Sequence, residues 1–211
     1  MIYFDNAATG GRKPDSVLSA VNAALKQCAN PGRSGHKLSL GCACVVQKAR
    51  EALDEFFEGY GPDRAVFTKN CTEALNIAIF SALQAGGHAV TTCMEHNSVL
   101  RPLEHLRRTG KADYSVAPLN DSGNVDAAAI VALVREDTKA VIVTAASNVT
   151  GASPDFAAIR AALPAHVLLI CDGAQGCGHI PLSLRGQGLD ALCVAGHKGM
   201  PAIPGAGARR F

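Results

Sequence analysis

What most constrains this chain is an alternation that begins near residue 64. Short apolar, β-rich runs at 65–68, 89–92, 113–117, 140–144, 167–171 and 189–195 are separated, for the most part, by helical stretches at 73–84, 99–108, 127–135 and 156–163. A last candidate strand lies at 206–211. Such alternation predicts a largely parallel sheet with helices on both faces. Ligands in sheets of this kind bind beyond the carboxyl ends of the strands, so the turns that follow each strand are where chemistry is expected.

The residues ahead of the alternation read differently. Residues 1–14 form an extended arm, and 15–27 have helical periodicity with Asp15 or Ser16 as the N-cap. Asn30-Pro31-Gly32-Arg33-Ser34-Gly35-His36 is a loop by composition. A second helix is expected over 40–57, closed by Gly59-Tyr60-Gly61-Pro62.

Composition narrows the class. With 48% hydrophobic and 18% charged residues, the chain reads as a soluble globular α/β protein. A formal charge of +2 argues for neither nucleic acid nor an anionic membrane as partner. Arg209-Arg210 reads as solvated surface. No basic segment followed by a long apolar stretch opens the chain, and its apolar runs are too short to span a bilayer, so a cytoplasmic protein is expected. The eight cysteines, at 28, 42, 44, 71, 93, 171, 177 and 193, include no Cys-x-x-Cys pair. Cys42-Ala43-Cys44 has no histidine cluster at finger spacing, so reduced, mostly structural thiols and no metal site are expected.

The turns after the strands carry the chemistry. Lys198, in Ala195-Gly196-His197-Lys198-Gly199, offers an amine past one strand, and Asp172, in Asp172-Gly173-Ala174-Gln175, offers an acid past the strand before it. A pyridoxal-phosphate site needs both: the amine for a Schiff base, the acid to keep the pyridine nitrogen protonated. Thr68-Lys69-Asn70-Cys71-Thr72-Glu73 leads into a helix whose free N–H groups can seat a phosphate, although Thr72 also suits a simple helix cap. His96, in Glu95-His96-Asn97-Ser98, can stack on a planar ring or move protons, or lie on the surface. Asn148, in Ser147-Asn148-Val149-Thr150-Gly151, can bind a phenolic oxygen or a carboxylate, or serve only the turn. A mononucleotide site would need a Gly-x-Gly-x-x-Gly loop or a Walker lysine after a strand, and neither is present.

Taken together, these motifs resemble the class V aminotransferase-like pyridoxal-phosphate enzymes of fold type I, in particular the cysteine desulfurase group. Tyr3-Phe4-Asp5-Asn6-Ala7-Ala8-Thr9 and the 30–36 loop stand in the family's order with the turns just named. The resemblance implies an α/β three-layer large domain with a mostly parallel seven-stranded sheet, with 1–14 as an arm and 15–211 as the cofactor-binding domain. Lys198 would carry the cofactor, Asp172 would pair with the pyridinium, and Gln175 would contact the phenolic oxygen. His96 would stack on the ring and hand on a proton. Cys71 and Thr72, with His197, would hold the phosphate, and Asn148 the substrate carboxylate. The implied reaction moves sulfur from L-cysteine to an enzyme thiol and releases L-alanine, in a homodimer that passes sulfur to an acceptor protein.

Three departures qualify that reading. Cys71 stands where many relatives have Thr or Gly, and Ala195 where many have Ser. The loop 199–207 lacks the usual Gly-Pro. The small domain, sulfur-accepting cysteine and carboxylate-clamping arginine of relatives have no counterpart in these residues, so little desulfurase turnover is expected from this chain. Cys93 and Cys171 are expected to be buried, while Cys42, Cys44 and Cys177 stay open as candidate thiols. Selenocysteine lyase or aminotransferase chemistry, and a fold that has lost its activity, remain alternatives.

Overall fold

The structure is a computed structural model that describes residues 2–210, with the backbone alone at 210. Met1 of the expected arm and Phe211 of the last candidate strand lie outside the described residues. Two helices come first, α1 (Asp15–Lys26) and α2 (Lys37–Phe56), then a 3-10 turn at Pro62–Arg64. The alternating part follows as β1 (Ala65–Thr68), α3 (Cys71–Ala82), β2 (His88–Thr92), α4 (Asn97–Arg108), β3 (Asp113–Ala117) and α5 (Ala127–Val131). It continues through β4 (Thr138–Thr144), α6 (Phe156–Ala162), β5 (Leu168–Asp172), α7 (Leu184–Gln187), β6 (Ala191–Ala195) and β7 (Gly207–Arg210).

The strands form one seven-stranded sheet in the order β1-β7-β6-β5-β4-β2-β3. β2, β3, β4, β5 and β6 are mutually parallel, and β7 runs antiparallel between β6 and β1. Two reversals across β7 leave β1 parallel to β6. The carboxyl ends of β1, β2, β4, β5 and β6 therefore share one edge.

Alternation within the strands builds two cores. Along β4, Ala140 and Ile142 join α3 and α4 through Leu75, Ile79, Val99 and Leu103. Val141 and Val143 join Ile130, Phe156, Ile159 and Leu184 of α5, α6 and α7 on the opposite face. Each of these Val, Leu, Ile and Phe side chains, buried fully, contributes about 1.5–3 kcal/mol. The result is three layers, helix, sheet and helix. No helix among the described residues is long and apolar enough to cross a membrane.

Several boundaries depart from the sequence reading. Pro14, not Asp15 or Ser16, is the N-cap of α1 and makes no side-chain capping bond; Asp15 sits in the first turn, where its charge suits the macrodipole. α2 starts three residues earlier than expected because His36 caps it, accepting from Ser39 N–H at 3.3 Å, and Ser39 Oγ donates to Asn30 O. α5 ends at Val131 rather than 135, since Leu133 and Val134 turn back with i→i−3 bonds and Thr138 Oγ1 accepts Arg135 N–H at 2.7 Å. Arg209 is no solvated residue: it lies half-buried in β7 opposite Val66 and Cys193.

Candidate active site

The shared edge opens into a cleft. Cys71, Thr72, His96, Asn148, Asp172, Gln175, His197 and Lys198 all line it, each delivered by the carboxyl end of a strand or the segment that follows it. The structure thus brings together every residue that the sequence singled out for the site. Asn70, Ser98, Thr144 and Ala174 line it as well.

Asp172 is the last residue of β5 and only 1% exposed. Its Oδ1 accepts from Ala174 N–H at 2.9 Å and from the Cys71 thiol at 3.3 Å. Burial pushes its carboxyl above the usual range; those two hydrogen bonds and the positive field of Lys198 oppose the shift. The next residue is glycine because the chain there packs directly against β6. A Cβ on Gly173 would stand 2.8 Å from Cys193 O. Lys198 lies in the turn after β6, half-buried on the same cleft.

One end of the cleft is built by two helix starts. Asn70 caps α3, its Oδ1 accepting from Glu73 N–H at 2.8 Å, while Glu73 Oε2 accepts from Lys69 N–H at 2.6 Å. Thr72 is therefore not the cap. Ala74 N–H bonds Asn70 O, and helix geometry leaves Cys71 and Thr72 N–H without intrahelical acceptors. Thr72 Oγ1 lies 2.9 Å from Ser98 Oγ, which lies 2.8 Å from His96 Nδ1. His96 caps α4, accepting Ser98 N–H on Nδ1 at 3.1 Å. An amide can only donate, so Nδ1 is the acceptor and the neutral ring carries its proton on Nε2. Gly207 lets β7 press against this corner: a Cβ there would stand 2.7 Å from the Asn70 backbone.

The N-terminal segment closes onto the lysine turn. Gly10 N–H and Lys13 Nζ donate to His197 O at 2.8 and 3.3 Å, and Thr9 Oγ1 lies 3.1 Å from His197 Nδ1. Burial, then the charges of Lys198 and Lys13, hold the His197 imidazole below the usual histidine range. Sequence reasoning assigned no site role to Thr9, Gly10 or Lys13; only tertiary contact reveals them. Asn70 and Ser98 carried a readable signal, since Asn three residues before Glu is a capping pattern and Ser98 follows a histidine at a helix start.

The cysteines sort by burial. Cys71, Cys171, Cys177 and Cys193 are buried, and burial pushes the thiols of the first three well up. Cys177 therefore lacks the exposed, electropositive setting that a reactive thiol needs. Cys93, expected to be buried, is exposed, because β2 ends at Thr92 and the next turn carries Cys93 to the surface.

Comparison with known proteins places this geometry. The aminotransferase class-V family model matches residues 2–208. A probable cysteine desulfurase of Aeropyrum pernix is 33% identical over 204 residues, covering 94% of this chain and 49% of the relative. Among solved structures, a NifS-like protein superposes with a TM-score of 0.92 at 26% identity, over all of this chain and 58% of the other. SspA in complex with cysteine gives 0.91 at 25% identity, over all of this chain and 61% of the other. The chain spans about half the length of the curated relatives it matches. With fold, motif order and family match in agreement, the chain belongs to the aminotransferase class-V family.

Proposed function

We propose that this chain is the cofactor-binding part of a pyridoxal-phosphate enzyme that takes sulfur from L-cysteine, with residues 15–211 forming the binding unit and 1–14 an arm over it. The observation that carries the reading is one cleft holding a buried carboxylate, an amine and the start of a twelve-residue helix. Three features of the donor set fit the cofactor. The buried Asp172 makes no ion pair with a side chain among the described residues, as suits a carboxylate awaiting a protonated ring nitrogen. The N–H groups of Cys71 and Thr72 suit a phosphate. The amine of Lys198, on the same cleft, suits an aldehyde.

When bound, the cofactor supplies an electron sink for bonds at the substrate Cα. Asp172 keeps the ring nitrogen protonated, and Gln175 donates to the phenolic oxygen. Thr72, Cys71 and His197 hold the phosphate. Lys198 holds the cofactor and moves protons at Cα, while His96 covers the ring and donates from Nε2. Asn148 takes the substrate carboxylate. Names of similar proteins favour L-cysteine: several are desulfurases, and one neighbour is a complex with cysteine.

Cys71 is the one cysteine on the described cleft wall, and its buried thiol is a poor nucleophile. No arginine lines the described wall. The sulfur-accepting thiol and the cation for the substrate carboxylate therefore come from outside it. A second copy of the chain is the proposed partner, supported by the exposed Leu18 and Leu25 of α1 and Leu38, Leu40 and Val45 of α2.

The test titrates L-cysteine into cofactor-loaded protein with a thiol reductant, following cofactor absorbance and products. A saturable spectral change with alanine accumulating only slowly is the expected result. Keto-acid accumulation, or loaded protein that gives no response to L-cysteine, would sink the reading.

A further inference from the structure

Glu95 has no part in the function proposed above, yet it is the most unusually placed acid of the region. It precedes His96, is 8% exposed, and has no cation at ion-pair distance among the described residues. Its Oε1 accepts from Thr92 Oγ1 at 2.6 Å and from Thr144 N–H at 2.9 Å. Thr92 Oγ1 in turn accepts Met94 N–H, so its own proton goes to Glu95. Both lone pairs of Oε1 are thus used, as on the carbonyl oxygen of an un-ionised acid. Oε2 is buried without a hydrogen-bond partner among the described residues, a setting that suits a hydroxyl far better than a full charge.

The second observation is what lies next to it. Thr144, gripped by Glu95, pairs with Asp172 in the β4–β5 register and lines the cleft. Two carboxyl groups therefore flank one residue, and in a buried site they resist ionising together. Burial pushes Glu95 up to about 8; Thr92 and Thr144 oppose the shift, and the charge of Asp172 adds to it. Asp172 and Cys171 on β5 are the titratable groups that interact with Glu95, with His96 adjoining it in the chain.

The geometry points to Glu95 as a positioning residue: an uncharged carboxyl group that clamps the ends of β2 and β4 through Thr92 and Thr144 and sets no second charge beside Asp172, the acid on the cleft wall. Its consequence for the cofactor rests on the function proposed above. As pH rises through about 8, Glu95 ionises beside Asp172. The added charge is buried without a cation and repels the Asp172 carboxylate, so the clamp on β2 and β4 loosens and Asp172 loses the position in which it would meet a ring nitrogen.

The test measures cofactor uptake by absorbance for wild type, Glu95→Gln and Glu95→Ala at two pH values. Glu95→Gln keeps the acceptor, so uptake within about threefold of wild type near pH ~7 is expected, with less decline than wild type near pH ~9. Glu95→Ala strands two donors and is expected to lose roughly tenfold at both. Glu95→Gln as weak as Glu95→Ala, or sharing the full alkaline decline of wild type, overturns the inference. Folded wild type that takes up no cofactor defeats the proposed function instead. Glu95 is then decided on cofactor-free protein: Glu95→Gln more resistant to urea than wild type near pH ~7 supports the inference, and equal or lower resistance overturns it.

Discussion

Replacing Glu95 by glutamine should stabilise the cofactor-free protein at neutral pH and do progressively less as the pH falls. The folded-state value of about 8 lies above the ordinary 4.5 of an exposed glutamate. Between those values the unfolded chain releases a proton that the folded protein keeps. Stability is therefore full below the unfolded value and falls as pH rises through the window, becoming flat above about 8. At 1.36 kcal/mol per pH unit, the loss is about 3 kcal/mol at pH ~7 and about 1 kcal/mol at pH ~5. Glutamine has no such proton, so the gap between the two proteins should widen by about 2 kcal/mol over that range. In urea this is a shift of about 1 M in relative midpoint, for a slope near ~2 kcal/mol/M. The assay is equilibrium unfolding by circular dichroism at both pH values. A gap that stays constant, or that widens toward acid, would refute the placement of a proton on Glu95.

Two further outcomes follow from the same geometry. Asn70→Ala removes the α3 cap and should cost about 1 kcal/mol by urea unfolding, with Asn70→Ser recovering most of it; no loss would mean that Asn70 is not capping. Asp172→Asn preserves the acceptor for Ala174 N–H while removing a charge that burial disfavours, so the cofactor-free protein should unfold at higher urea near neutral pH. The same variant should bind the cofactor on the order of a hundredfold more weakly, and equal binding would remove Asp172 from its proposed role.

The sheet was legible because its strands are short apolar runs that leave no other period to fit: 140–144 and 113–117 lie inside or on the observed β4 and β3. Helix ends were less legible because capping depends on which side chain turns back. At α3 the sequence offers Thr72 as a cap, and only the Glu73 amide shows that Asn70 takes the role. Cys93 and Arg209 were misjudged for a shared reason. Burial belongs to the layer lying over a residue, and neither the exposed turn after β2 nor the position of β7 between two strands is encoded in adjacent residues.

The site was read from types at strand ends, and the cleft contains all eight of them. Its supports were not readable in that way. The Thr9–His197 contact spans 188 residues, and Glu95 reaches Thr144 across 49. Such contacts depend on the packed sheet rather than on local pattern. In sequence Glu95 is only the neighbour of His96, since an acid in a polar turn gives no hint that it will be buried.

The most direct test of the whole account is covalent. Cofactor-loaded protein is reduced with borohydride, digested, and searched by mass spectrometry for the modified lysine. The account expects label on Lys198 alone, abolished in Lys198→Ala. Label spread over surface lysines such as Lys26 and Lys48, or undiminished uptake by Lys198→Ala, would contradict it.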